Sequence, residues 1–426
     1  MGSAEGLAWL FSLADQERGV GWNPRASPAS QWKLGRTRAL LDLDGAPDRR
    51  LRIVLVAGTK GKGSTCAMLA SVLGAAGLRC GLYTQPHLQD YRERIRIDGQ
   101  AITADAFEVA LASMRALVER LATIHPEAGE PTTFEVTTAL ALDTFARHGC
   151  SIAVVEVGLG GRLDATNATE PQLSIITSIS YDHTAILGRT LGQIATEKAG
   201  ILRPGQPALF AEQRPAAARA LGRACRQTGA GCQTVPPLPA DAWPLALAGV
   251  PQHQNAALAV AAARRLADPP EEAIRHGLAR LRWPGRFEVL AGPPPLVLDG
   301  AHNGASAEAL ASTLADFAAS RPIALVVGIN RDKDARAVLR PLLAHAAVVW
   351  ATQTHDNPRA LAAADLARHC RHLGAPATVE PDVSRAIAAA CDTARTMGGL
   401  VCVTGSLLLV GQARATLGLE VPERLW

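Results

Sequence analysis

The chain has 426 residues, two to three times a domain of about 150 residues, so two domains are the default. Apolar residues make up 48% and charged residues 19%, enough for more than one core and incompatible with a natively disordered chain. A formal net charge of +4 over this length, with 4% aromatic residues, argues against a nucleic-acid platform built on charge or base stacking.

The basic residues are almost all arginine; the lysines are Lys33, Lys60, Lys62, Lys198 and Lys333. In a chain that avoids lysine, those inside glycine-rich or catalytic-looking strings need a reason. None of the eight cysteines forms a C-x-x-C, and only Cys225 and Cys232 lie close together. Most sit in apolar stretches, which reads as reduced core thiols of a cytoplasmic protein rather than disulfides or a zinc site. The first residues lack a basic segment followed by an apolar run, so no signal peptide is expected. No run of apolar residues is long enough for a membrane span.

In chain order, residues 5–45 read as short helices with loops around Gly19 to Pro28. Arg52 to Ala57 is a buried strand, Gly58 to Ser64 a glycine-rich turn, Thr65 to Ala76 an apolar helix and Cys80 to Thr84 a strand, the opening of a parallel α/β sheet. Helices follow at Ala104 to Ile124 and Thr132 to His148, and strands at Ile152 to Val157 and Leu173 to Ser178. A helix through Gln193 to Ala199 and a strand from Pro207 continue the alternation to about residue 280. Pro284, Gly285, Gly292 and Pro293 to Pro295 then mark a junction. Beyond it, strands at Leu296 to Leu298, Ile323 to Val327, Ala347 to Ala351 and Leu400 to Thr404 alternate with helices. Those helices fall at Ala305 to Ala319, Asp334 to Leu343, Pro358 to His369 and Val383 to Ala394. The fold class is α/β: a parallel-sheet domain over residues 1–283, then a smaller α/β domain over 284–426. Strands without polar alternation imply helices on both faces.

Gly58-Thr59-Lys60-Gly61-Lys62-Gly63-Ser64-Thr65 resembles a P-loop without its strict spacing. Glycines let backbone N–H groups converge on phosphate oxygens, and the following helix N-terminus favours negative charge. Lys62 is placed to reach the β- and γ-phosphates, and Ser64 or Thr65 to face Mg²⁺. Glu156 ends a strand before a glycine run, where a metal ligand would sit, although a surface acid is the plain alternative. Asp182-His183 follows the next strand, and Lys198 lies fifteen residues on. A histidine nitrogen is an unusual Mg²⁺ ligand and suggests a second metal. A bare Lys198 would repel metals, whereas a carbamate on it would not.

These strings resemble the folylpolyglutamate synthase and dihydrofolate synthase family, within the Mur-ligase-like, ATP-dependent amide ligases. They are Val56 to Ser64, Pro86-His87-Leu88, Arg92 to Ile95, Phe134-Glu135, Glu156 to Asn167, Asp182-His183-Thr184, Glu197 to Gly200 and Gln254-Asn255-Ala256. The second half adds Pro284 to Glu288, Asp299 to Asn303, Asp332-Lys333-Asp334 and Thr404-Gly405-Ser406. The resemblance implies a P-loop-type parallel-sheet ATPase domain followed by a smaller Rossmann-like α/β domain. It also implies ATP-dependent addition of L-glutamate to a folate or dihydropteroate carboxylate through an acyl phosphate, in a cytoplasmic monomer with no nucleic-acid or membrane partner. It implies ATP contacts from Gly58 to Thr65, Asn255, Arg286 and Asp299. Two Mg²⁺ would be held among Ser64, Gln85, Glu156, His183 and Lys198. Substrate contacts would come from Pro86, His87, Arg94, His302 and Ser406. Lys62, His183, Lys198 (carbamylated in the family) and His302 would carry the catalysis, and Asp164 would be structural. The family usually has Asn at Lys60 and Ser at Gln85. A Mur-like ligase for a different acid is the nearest alternative.

Overall fold

The computed structural model describes residues 3–15, 34–240, 242–355 and 357–426. Lys33 and the loops expected around Gly19 to Pro28 lie outside the described residues. Helices Ser3–Ser12 and Leu34–Leu43 precede the first strand.

The first sheet is built from β1 (Arg52–Ala57), β2 (Cys80–Tyr83), β3 (Ile95–Ile97), β4 (Gln100–Ala101), β5 (Ile152–Glu156), β6 (Leu173–Ile176), β7 (Pro207–Ala211) and β8 (Gly231–Val235). Their order is β4-β3-β2-β5-β1-β6-β7-β8. From β2 to β8 all neighbours are parallel; β3 and β4 add antiparallel at one edge. β1, β2, β5 and β6 are buried almost throughout, as strands covered on both faces must be. One core packs the helices Ala104–Ile124 and Thr133–Arg147 on one face. A second packs the helices Lys62–Ala75, Pro251–Ala267 and Glu271–Arg280 on the other. The helix Ala104–Ile124 has the expected bounds.

The second sheet contains β9 (Glu288–Leu290), β10 (Leu296–Asp299), β11 (Ile323–Val327), β12 (Ala346–Ala351), β13 (Thr378–Val379) and β14 (Leu400–Thr404). Its order is β13-β12-β11-β14-β10-β9, parallel except for β9. Two cores again sandwich it. Mixed α/β architecture with two mainly parallel sheets is therefore as expected.

Three details differ. The phosphate-loop helix starts at Lys62 rather than Thr65, because Gly61 takes the left-handed conformation (φ 85) that ends the turn. The helix expected from Pro358 begins at Ala363, since residues 357–360 form a turn closed by Ala360 N–H donating to Asn357 O. Cys225 and Cys232 are joined in a disulfide, which corrects the expectation of reduced thiols throughout. Helix Pro215–Thr228 ends at left-handed Gly229 and the chain doubles back into β8, bringing the two Cα atoms to 6.3 Å. The other six cysteines are buried thiols.

Asp44 illustrates an imperfectly compensated carboxylate. Burial, then the neighbouring Asp143, pushes its carboxyl up to about 6, and one of its oxygens is buried without a hydrogen-bond partner. A folded-state pKa above the unfolded value means that stability is lost as pH rises from about 4 through about 6. Asp44→Asn should therefore stabilise the protein by on the order of 1 kcal/mol at pH 8, after allowing for solvent screening, and hardly at pH 4. Thermal unfolding at both pH values checks this; equal shifts would contradict it.

Candidate functional site

The parallel strands of each sheet deliver their following loops to one edge, and the two edges face each other across a cleft of about 1290 Å³. From the first sheet come Gly58 to Ser64 after β1, Gln85 to His87 after β2, Glu156 at the end of β5, and Ser178 to His183 after β6. From the second come Asp299 to His302 after β10, Asn330 to Lys333 after β11, and Gly405 and Ser406 after β14. This is where open α/β sheets place ligands.

At its glycines the loop after β1 has no room for side chains. A Cβ on Gly61 would collide with Asn255 Oδ1, one on Gly58 with Thr177 Oγ1, and one on Gly63 would lie 3.2 Å from Glu156 Oε2. The first turn of helix Lys62–Ala75 therefore turns its N–H groups toward the cleft. Ser64 is buried at the lining, whereas Thr65 is wholly buried behind it, its hydroxyl without a hydrogen-bond partner.

Lys60, Lys62, Lys198 and Lys333 all line this cleft. Lys62 Nζ is 3.8 Å from Glu156 Oε1, and Glu156 Oε2 accepts from Gln85 N–H at 3.1 Å. Lys198 is buried and donates to Gly58 O at 2.7 Å. Burial, then Lys62, pushes its amine down to about 7. Lys60 donates to Asp182 at 3.3 Å and approaches His302 Nε2 at 3.1 Å. Burial lowers it also to about 7, against the pull of Asp182. His302 Nδ1 lies 2.8 Å from Gly300 O. A carbonyl only accepts, so Nδ1 carries the proton and Nε2 accepts from Lys60.

Asp182 is the hub. It accepts from Lys60 in the first half, and from Lys333 at 3.0 Å and Asn303 Nδ2 at 2.7 Å in the second. Burial alone would raise its carboxyl; Lys60, His183 and Lys333 outweigh that and hold it far below the usual carboxylate range. His183, in the left-handed region (φ 48), begins a short helix Thr184–Leu187 at the cleft. Desolvation, then Lys333, keeps its imidazole below its ordinary pKa, the neutral form a metal requires. Asn255, Arg286, Asp299, Pro86, His87, Arg94 and Ser406 line the same cleft. Asp299 accepts from the N–H groups of Phe287 and Ala301, both at 2.8 Å. Asp164 is occupied by Leu159 N–H, Thr166 N–H and the Thr166 hydroxyl, the structural part expected of it.

Among the described residues, no three His, Cys, Asp or Glu side chains gather to form a metal site by themselves. Buried Glu156, Ser64 and His183 nevertheless line the same cleft, and carboxylate and hydroxyl oxygens are the donor type that suits Mg²⁺. Sequence reasoning did not assign Lys333 or Asp182 a role. The rarity of lysine was the signal for the first.

Comparison with known proteins finds matches to both halves of the chain. The Mur ligase middle domain matches residues 56–219, and the Mur ligase, glutamate ligase domain matches residues 285–407. The dihydrofolate synthase/folylpolyglutamate synthase of Bacillus subtilis is 35% identical over 90% of this chain and 94% of its own length. The folylpolyglutamate synthase of Mycobacterium tuberculosis, solved with ADP and AMPPCP, superposes with a TM-score of 0.87 at 32% identity, covering 92% of this chain and 97% of that one. A bifunctional folylpolyglutamate synthase/dihydrofolate synthase solved with Mn, AMPPNP and L-glutamate gives 0.84 at 31% identity and 98% coverage of both chains.

If Asp182 is the counter-ion of both lysines, Asp182→Asn should lower the unfolding midpoint, and Lys333→Met added to it should recover part of the loss. Removing one of two mutually repelling ammoniums gives a coupling of about 1 kcal/mol or more. Strictly additive shifts in thermal unfolding would show that the lysines do not depend on Asp182.

Proposed function

Since the chain belongs to the folylpolyglutamate synthase/dihydrofolate synthase family of Mur ligases, we propose that its cleft joins L-glutamate to a folate or dihydropteroate carboxylate at the expense of ATP. The observation that carries this reading is the gathering of Lys60, Lys62, Lys198 and Lys333 around a glycine cradle that ends at buried Glu156. Such a site is made for a polyphosphate.

A carboxylate is a poor acyl donor because oxide would have to leave. Transfer of the γ-phosphoryl group gives an acyl phosphate and ADP. The glutamate amine then attacks the acyl carbon, the C–O bond to phosphate breaks, inorganic phosphate leaves, and the nitrogen gives up one proton to water as the amide forms. A divalent ion supplies charge neutralisation on the phosphates when bound; Ser64, Glu156 and His183 would hold it, with Gln85 and Lys198 beside them. The chain's own part is to place charge. Lys62 neutralises the migrating phosphoryl group, and the loop N–H groups hold the phosphates. His302 accepts from Lys60 and fixes that ammonium toward the cleft. Asn255 and Arg286 border the nucleotide, and Pro86, His87, Arg94 and Ser406 border the carboxylic acid and the glutamate. Residues 1–283 carry the phosphate loop and most of the nucleotide site, and 284–426 add Arg286 to it and carry the glutamate, in a cytoplasmic monomer. Among the described residues no helix is long and apolar enough to cross a membrane.

We assign Lys198 a carbamate in the active enzyme, and a second divalent ion beside it. Its amine is buried against the loop, at Gly58 O, with Lys62 the strongest neighbouring charge. A carbamate, formed from CO₂ with loss of a proton, replaces repulsion there by hard oxygen donors.

The reaction is tested by offering ATP, Mg²⁺ and L-glutamate with 7,8-dihydropteroate, tetrahydrofolate or a UDP-muramyl acid, and recording phosphate release and product mass. Glutamylated pterin is the expected product; reaction with the muramyl acid alone would overturn the assignment. Lys62→Ala should lose at least about two orders of magnitude in turnover, since its charge acts chiefly in the transition state. Lys198→Ala should be nearly inactive and regain turnover with acetate or formate. Intact mass in CO₂-retaining buffer should show one added CO₂ on the native chain. No adduct and no rescue would count against the carbamate.

A further inference from the structure

Beside the phosphate-binding part of the cleft, the turn Asp90 to Arg94 holds the loop that carries His87. The Glu93 carboxylate accepts the backbone N–H groups of Leu88, Gln89 and Asp90, at 3.1, 2.8 and 2.8 Å. Arg94 is 5% exposed, its guanidinium lies 4.5 Å from the centre of the Tyr91 ring, and its Nε donates to His87 Nδ1 at 3.0 Å. The Tyr91 ring lies 5.1 Å from the His87 ring, and its hydroxyl is tied to Thr137 at 2.7 Å. The backbone that follows His87 and the His87 ring are thus both fixed from this turn, and His87 lines the cleft.

The bond from Arg94 has a chemical consequence. A guanidinium can only donate, so Nδ1 of His87 must accept. An imidazolium has no acceptor, and the neutral ring has one N–H. We propose that Arg94 is a positioning residue that holds His87 as the uncharged, Nε2-protonated tautomer, so that its Nε2–H recognises a carbonyl or carboxylate oxygen of the folate-type substrate. Charge repulsion from Arg94 opposes a proton on Nδ1, and the stack on Tyr91 keeps the guanidinium in place. His87 is on this account a hydrogen-bond donor rather than a base. The substrate class rests on the function proposed above; the tautomer does not.

Two measurements test it on the full chain. In ¹⁵N-histidine-labelled protein without substrate, with His87 assigned from the His87→Gln spectrum, Nδ1 should resonate as an unprotonated nitrogen and Nε2 as a protonated one. In Arg94→Met the two signals should move toward a tautomer mixture. A protonated Nδ1 in the native chain, or an unchanged His87 spectrum in Arg94→Met, would overturn the proposal whatever the enzyme acts on. In steady-state assays His87→Ala should raise the KM for the pterin substrate about tenfold, the worth of one hydrogen bond, with a smaller change in kcat. Glutamine places an amide N–H where Nε2–H stood, whereas asparagine places one near Nδ1. His87→Gln should therefore recover most of the loss and His87→Asn little of it. Equal losses in the glutamine and alanine variants, with unchanged unfolding midpoints, would remove the donor role.

Discussion

Like charges in one cleft are the constraint on which the site depends. Two unit charges 4 Å apart near a protein surface interact by about 4 kcal/mol, so several ammoniums around one loop would drive it open unless something offsets them. Asp182 and Glu156 do so. Both lie at the carboxyl edge of the first sheet, Glu156 as the last residue of buried β5 and Asp182 in the loop that follows β6. Asp182 takes lysines from both halves of the molecule, which makes the charge balance of the cleft and the approach of the two halves one interaction. An arriving polyphosphate would present its own oxygens to the same ammoniums. The internal carboxylate therefore stands where substrate charge is to act, and the cleft is preorganised without being left as an uncompensated cluster of cations.

The fold supplies that arrangement by a simple rule of parallel sheets: each strand enters from the same end, so every loop that follows a strand opens on the same edge. Two such sheets with their loop edges opposed give a cleft lined by strand-to-helix turns and by the helices beside them. β1 lies between β5 and β6, which places Gly58, Glu156 and Ser178 on adjacent strands. The same registers put Asp299 opposite Thr404, so the Asp299 to His302 turn and Ser406 emerge side by side. Residues that are hundreds of positions apart meet because hydrogen-bonded strands carry them, and none of these turns needs to be long.

The strands and the phosphate loop were legible because their signals are local. Unbroken apolar runs such as Ile323 to Val327 mean burial on both faces, and a glycine cluster between strand and helix has few other uses. The short antiparallel strands β3, β4 and β9 have two or three residues each, too few for any period to show. The Cys225–Cys232 bond was missed because composition was weighed against compartment, while the deciding fact was a helix doubling back at Gly229. Arg36 and Glu135 form a buried ion pair at 2.7 Å across 99 positions, which no spacing rule reaches. Asp332-Lys333-Asp334 carries part of the family resemblance, but the string alone gives its lysine no role. Its neighbour Asp332 pairs with Arg359, and the lysine reaches Asp182.

The two departures from the family pattern, Lys60 and Gln85, differ in kind. At Lys60 the side chain itself matters: its ammonium spans Asp182 in one half and His302 in the other, a cross-cleft link that a shorter, uncharged amide could not reproduce at both ends. At Gln85 the group that touches Glu156 is the backbone N–H, which every residue but proline supplies. The side-chain amide instead lies over Gly158, where a Cβ would come within 2.9 Å of its nitrogen. Orientation of the buried carboxylate is thus a main-chain property of the turn after β2. A substitution there changes what is packed beside Glu156 while leaving the bond that aims it, so position 85 can vary where positions 58, 61 and 156 cannot.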